Sequence, residues 1–359
     1  MPRVLIQDLV PGMILSEDVI SFQNRLVLPK DMALTDKAIA KLEFYSITSV
    51  RIKDESMENA VSADIPSESL SYSEKIKSSA AYKVFKENFE STIGEIKESL
   101  NDIITKQVVD TEKLLEEPMK LISDTPSGIH IFDMLHNMRI YDDPTYAHSL
   151  NVSLICHVFG KWLSMSDEDL NTLTLCGLLH DIGKLKIPNE IISKPSKLTD
   201  EEYTTIKSHS MEGFNILKAL PISEHIKNAA LMHHERCDGS GYPMALSTER
   251  IDRFARIVSI ADVYDAMTSP RVYRGPLCPF QVISIFESEG LQKYDSEFIL
   301  VFLEYIVNTY MNNRVRLSNG MIGEIILINK FDLSHPVVHC GSHYIDLSHE
   351  HGLYIEEIL

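Results

Sequence analysis

Residues 179–188, LHDIGKLKIP, constrain this chain more than any other stretch. A His and an Asp stand side by side where an apolar helix ends, and a Gly, a Lys and a Pro follow. Imidazole and carboxylate groups in so apolar a setting need hydrogen bonds or a metal to offset their desolvation. More ligands of the same kind lie elsewhere: His148 upstream, then His209, His233, His234 and Asp262 downstream. These nitrogen and oxygen donors, with no thiolate among them, suit Mn, Fe, Ni or Zn.

Composition narrows the classes of function. A length of 359 residues allows two or three domains and a large core. Apolar residues at 44% and charged residues at 24% are those of a soluble globular protein. A formal charge of −18 argues against polymeric nucleic acid or an anionic membrane as partner. A small phosphate ligand remains compatible, because metal ions and a few local Arg or Lys can reverse the sign inside one cleft. Cys156, Cys176, Cys237, Cys278 and Cys340 form no C-x-x-C pair and fit reduced thiols in a cytoplasm. The opening MPRVLIQDLVPG lacks a basic region followed by an apolar run, so no signal peptide is expected. No apolar stretch reaches the ~18 residues of a membrane span.

Taken in order, the pattern predicts a mainly α chain in five parts. Residues 1–54 read as a small β-rich domain, with strands around 4–6, 13–20, 25–28 and 47–52 and a helix over 36–45. Such a unit serves either as a sensory or docking module or as a packing domain. Residues 55–71 are polar and Ser-rich, a linker. Residues 72–128 form a helical connector. Its first helix, about 73–105, carries an apolar stripe of Tyr82, Phe85, Phe89, Ile93, Ile96 and Leu100, suited to a homodimer seam or to packing on its own domain. A second helix is expected over 111–122, weakened by Pro118.

Residues 129–309 read as all-helical. Ser166 is expected to cap the helix that delivers His180 and Asp181, with Gly183 as its stop signal. A helix opening at Thr199 is expected to carry His209, one over 223–234 the His pair, and one over 252–268 Asp262. Residues 310–359 change to alternating strands around the hairpin signal Asn319-Gly320, a small β-barrel or sheet of four to five strands. Its five His (335, 339, 343, 349 and 351) fit a solvated face better than a metal site.

Several motifs now stand in one order: YAHS at 146–149, HDIGK at 180–184, KPSKLTDEEYTTIKSHSMEGFNIL at 194–217, HHERCDGSGYP at 233–243 and ADVYDAMTSPRVYR at 261–274. Together they resemble the HD-GYP family of cyclic di-GMP phosphodiesterases, part of the HD superfamily, over roughly residues 140–290. Two divalent ions about 3.5–4 Å apart can share a bridging carboxylate and hold a hydroxide between them. The resemblance implies His148, His180, Asp181 and Asp262 at one ion and His209, His233 and His234 at the other, with Asp181 bridging. Some members hold a third metal through a Glu four residues before the first ligand His. Pro144 stands there in this chain, so two ions are expected, Fe or Mn, with Ni or Zn also compatible.

The remaining roles are likewise implied by the resemblance. Lys184 would contact the phosphate and stabilise charge developing on it. Arg271 and Arg274 would grip phosphate or guanine, or else pair with Asp262 or Asp265. Tyr242 would stack on or hydrogen-bond a base, or brace its loop, which Gly239, Gly241 and Pro243 shape. His136, His157 and His225 match no ligand position and read as structural. The implied activity is hydrolysis of cyclic di-GMP to pGpG by a metal-bridging hydroxide, in the bacterial cytoplasm, with a second cut to GMP left open. Two other readings stay open: a phosphodiesterase for another cyclic dinucleotide such as cyclic GMP-AMP, and a low-activity nucleotide-binding sensor or scaffold. The input signal is not identified, since no receiver, PAS or GAF pattern is present.

Overall fold

Among the described residues, a computed structural model places the two larger apolar cores in two units, Met1–Ser69 and Leu70–Leu359. It describes all residues except 1–2, 6–8, 10–11, 21–25, 31, 33, 35–37, 39–41, 43–46, 48, 54–75, 124–127, 139–143, 195–197, 270–275, 342 and 351. In the first unit β1 (Arg3–Leu5) pairs antiparallel with β4 (Ser49–Arg51), and β2 (Val19–Ile20) with β3 (Leu26–Leu28). Leu15, Leu34, Leu42 and Ile52 fill its core. The helix expected over 36–45 lies mostly outside the described residues, as does the whole expected linker.

The second unit begins with α1 (Ala80–Lys106), capped by Ser79, whose side chain accepts from the Tyr82 N–H. Tyr82, Phe85, Phe89, Ile96, Leu100 and Ile103 are buried in the chain's own core, and the Tyr82 hydroxyl donates to the Asn137 carbonyl at 2.9 Å. The apolar stripe is therefore spent inside the chain rather than left open as a seam for a second copy. In α2 (Thr111–Ser123) Pro118 sits within the helix and is buried.

Helices α3 (Gly128–Asn137) and α4 (Pro144–Trp162) follow. Burial takes in almost every residue of α4 from Ala147 to Gly160, so no clean amphipathic stripe marks it in the sequence. Ser166 caps α5 (Asp167–Leu179), with Asp167, Glu168 and Asp169 favourably placed in the first turn. A 3₁₀ turn, Ile182–Lys186, continues from it. The capping box of Thr199 and Glu202 starts α6 (Asp200–Lys207).

The sequence predicted one helix running from here through His209. Instead the chain breaks at Ser208, and His209 is the first residue of a new helix, α7 (His209–Leu217). Next come α8 (Glu224–Met232) and α9 (Arg253–Thr268), then α10 (Pro279–Ile285), a π-turn at Phe286–Gly290, and α11 (Ser296–Thr309). Among the described residues no helix is long and apolar enough to cross a membrane.

The chain ends in an antiparallel sheet of β5 (Arg314–Leu317), β6 (Ile322–Leu327), β7 (Val337–Cys340), β8 (His343–Asp346) and β9 (Ile355–Ile358), ordered β8-β7-β6-β5-β9. Gly320, at φ +85°, turns the β5–β6 hairpin. Val315, Leu317, Ile325, Val338 and Ile355 belong to the same buried cluster as the helices. The switch from helix to strand near residue 310 is thus a change of secondary structure within one core. The Glu287 carboxylate, from the π-turn, accepts from the Leu333 and Ser334 N–H groups at 2.6 and 3.1 Å.

Candidate metal centre

Five elements deliver the donors. His148 comes from α4, His180 and Asp181 from the end of α5, His209 from the start of α7, His233 and His234 from the end of α8, and Asp262 from α9. They gather into two groups, Asp181 with His209, His233 and His234, and His148 with His180 and Asp262, the donor atoms within each group lying within 4.8 Å of one another. Gly183 serves this convergence, though not as the expected stop signal. Its φ is not positive, and it is needed because the His209 main chain passes where a β-carbon would stand.

Hydrogen bonding fixes which nitrogen of each ring faces inward. A carbonyl oxygen only accepts, so the Nδ1–H groups donate from His180 to Gly177 (2.7 Å), from His209 to Ile206 (2.6 Å) and from His233 to Ala229 (2.9 Å). Each Nε2 is left with a lone pair pointing into the centre. The Nε2 atoms of His209 and His233 are only 3.2 Å apart. Two lone pairs at that distance repel unless a cation sits by them. His180 Nε2 and Asp181 Oδ1 are buried and lack any hydrogen bond. Orphaned acceptors converging in a dry site fit divalent cations.

Asp181 is set between the groups. Its Oδ2 lies 3.3 Å from His180 Nε2 and 3.5 Å from His148 Nε2. Its Oδ1 lies 3.3 Å from His209 Nε2 and 3.7 Å from His233 Nε2. Lys184 Nζ donates to Oδ2 at 2.5 Å. Burial would raise the Asp181 carboxyl, but Lys184 and His180 outweigh it and hold the group well below the usual carboxylate range. Burial takes His209 down to about 4 and also lowers His233 and His234, which keeps these imidazoles neutral as ligands must be. His148 differs. Burial would lower it, but hydrogen bonds to Asp262 (3.0 Å) and Asp265 (2.6 Å) prevail and raise it to about 9. The carboxylates that favour a proton there favour a metal cation for the same reason.

Tyr242 stacks on His234, with ring centroids 4.6 Å apart, and so braces a donor. Lys207 Nζ lies over the Tyr203 and Tyr242 rings at 4.9 and 5.9 Å. Arg271 and Arg274 lie outside the described residues. His157 and His225 pair with Thr174 and Asp252. In the C-terminal sheet region His335 pairs with Asp332, His349 with Asp346, and His339 stacks on Tyr344; His351 is outside the described residues.

Three supporting residues are not among the ligands or substrate contacts that the motifs imply. Asp265 holds His148, Asn151 holds Asp265 at 2.9 Å, and the buried Glu235 carboxylate accepts from the Met244 and Leu246 N–H groups at 2.7 and 2.9 Å. Asn151 and Asp265 each follow a ligand by three residues on a helix, and that spacing was the available signal.

Residues 131–298 match the family described as "HD domain". A cyclic di-GMP phosphodiesterase of Pseudomonas aeruginosa is 33% identical over 193 residues, covering 54% of this chain and 46% of that protein. Residues 131–298 are thus similar to HD domains, and the chain shares a stretch of comparable length with this phosphodiesterase. A cyclic di-GMP phosphodiesterase of Thermotoga maritima is 36% identical over 178 residues, 49% of this chain and 48% of that protein. A 3'3'-cGAMP-specific phosphodiesterase of Vibrio cholerae is 41% identical over 145 residues, 40% of this chain and 34% of that protein. The chain thus spans between about a third and about a half of these relatives' lengths. In fold, 85% of it matches 99% of a solved chain described as an HDG"Y"P protein from Bdellovibrio bacteriovorus, with a TM-score of 0.52 at 14% identity.

Proposed function

We propose that this chain is a cytoplasmic, metal-dependent phosphodiesterase of the HD-GYP type, in bacterial second-messenger signalling, that hydrolyses cyclic di-GMP to pGpG. The observation that carries the proposal is Asp181, which turns one oxygen to each of two groups of inward-facing imidazoles. Two divalent ions, Fe or Mn, with Ni or Zn compatible, would be held by His148, His180 and Asp262 and by His209, His233 and His234 with Asp181 shared; there they would supply Lewis acidity and make water acidic near neutral pH.

The chain's own groups do the rest. Carbonyl-held rings keep lone pairs fixed inward before any substrate arrives. Lys184, with one N–H on Asp181, has two more to offer to phosphoryl oxygens. Tyr242 keeps His234 in place. Arg271 and Arg274 are assigned bidentate contact with phosphate or guanine.

The test is turnover by protein prepared without oxygen, loaded with Mn or Fe(II), and given cyclic di-GMP, with products separated by chromatography. Formation of pGpG that a chelator abolishes is expected. A loaded protein that forms no product would sink the proposal. A second reading, a preference for cyclic GMP-AMP, draws on the 41% identity to the cGAMP-specific relative. The two substrates compared side by side separate the readings.

A further inference from the structure

The three imidazoles held by carbonyls are all oriented locally, by an acceptor three or four residues back along the chain. His148 is oriented across the fold. Its Nδ1–H donates to Asp265 Oδ2 at 2.6 Å, from a residue 117 positions away. Asp265 is itself clamped: its Oδ1 accepts from Asn151 Nδ2 at 2.9 Å and from Ser269 Oγ at 3.3 Å. Asp265 and Asn151 are both buried. His148 and Asn151 stand one turn apart on α4, and Asp262 and Asp265 one turn apart on α9, so the two pairs close like a zip between the helices.

We infer that Asp265, clamped by Asn151, is the positioning residue that makes the two metal positions unequal. The inference rests on the metal-centre reading above. A carboxylate acceptor both fixes an imidazole and strengthens its other nitrogen as a donor, more than a neutral carbonyl does. The position made by His148, His180 and Asp262 therefore depends on one charged contact joining α4 to α9. At the position made by His209, His233 and His234, the first two rings are oriented by carbonyls just before them in the chain, and His234 is held by the stack of Tyr242. Loss of the Asp265 charge should weaken the first and spare the second.

The experiment is metal counting and metal titration on the full chain, with Mn(II) followed by its paramagnetic resonance signal and no substrate present. The wild-type chain should bind two ions. Asp265→Asn keeps the shape but removes the charge and sets an N–H₂ or a neutral oxygen against the His148 N–H. It should keep one ion at wild-type affinity and bind the second about 10–100-fold more weakly, the usual cost of losing such a support. Asn151→Ala, which leaves the carboxylate but frees it, should weaken the same ion by less. If Asp265→Asn fails to fold, Asn151→Ala decides alone, and unchanged binding of both ions in it overturns the inference. Two ions at wild-type affinity in Asp265→Asn overturn it, and so does equal loss of both. A wild-type chain that binds two ions but turns over no cyclic dinucleotide would defeat the proposed function and leave this inference standing.

Discussion

Gly183 and His209 lie in main-chain contact: no β-carbon fits between Gly183 and the His209 carbonyl, and one built there would also stand 2.5 Å from the Gly213 nitrogen. The obstacle is backbone on both sides, which cannot rotate away. Gly183→Ala should therefore push α7 off the 3₁₀ turn and carry His209 with it. Overpacking of this kind costs about 1–3 kcal/mol, and a backbone clash belongs at the upper end. Urea denaturation and metal content check it. Wild-type stability with both ions bound would refute the argument.

Asp181→Asn preserves volume but removes the charge shared by the two groups of imidazoles. It also turns an amide N–H₂ toward Lys184 or toward His209. Ion binding should fall at both positions and turnover by more than about 100-fold, the upper end of what loss of a supporting group costs. Retained turnover at the parent rate would be incompatible with the proposed centre.

Glu235 is 2% exposed, and its two oxygens hold the Met244 and Leu246 N–H groups. Glu235→Gln leaves one of these facing another donor, a loss of about 1.5–3 kcal/mol. The effect should be local, because the loop it secures carries Tyr242. Faster tryptic cleavage at Arg236, with core helicity unchanged, is the expected readout.

His157 supplies a pH dependence that does not involve the metal centre. Thr174 Oγ1 donates to the Leu170 carbonyl, so its oxygen accepts from His157 Nδ1–H, and Nε2 is buried without a partner. Burial, with a smaller contribution from Lys161, lowers this His from 6.5 to about 4. The unfolded chain then binds the extra proton between these values, so stability is full above about pH 6.5 and falls as the pH drops toward 4. The shift corresponds to a few kcal/mol at most, on the order of 3. Denaturation of metal-free His157→Leu at pH 7 and pH 4.5 should show a smaller fall in stability than the wild type. Equal falls would exclude His157 as the source.

Local chemistry made much of this chain legible from sequence. Ser166 with three acids behind it, and Thr199 with Glu202, announce their helices because caps act over three or four residues. The His and Asp donors stand out because a buried imidazole or carboxylate needs an explanation. What escaped was non-local. The break at Ser208 interrupts a run with unbroken helical spacing, and it follows from α7 packing on the 3₁₀ turn at Gly183. The tie from Asp265 to His148 spans 117 positions, and that from Glu287 to Leu333 spans 46. The apolar stripe of α1 was visible as a stripe, but what covers it depends on the rest of the fold.

The sheet at the end of the chain bears on how the protein can be dissected. Excision after residue 309, the natural place to cut by secondary structure, would bare the helix side chains that Val315, Leu317 and Ile355 help to cover. It would also strip Glu287 of both its amide partners. Lys293, six residues further on, accepts from the Cys237 N–H at 2.9 Å, so the wound would open beside the loop that carries Tyr242. A fragment intended to keep the centre intact should retain the sheet.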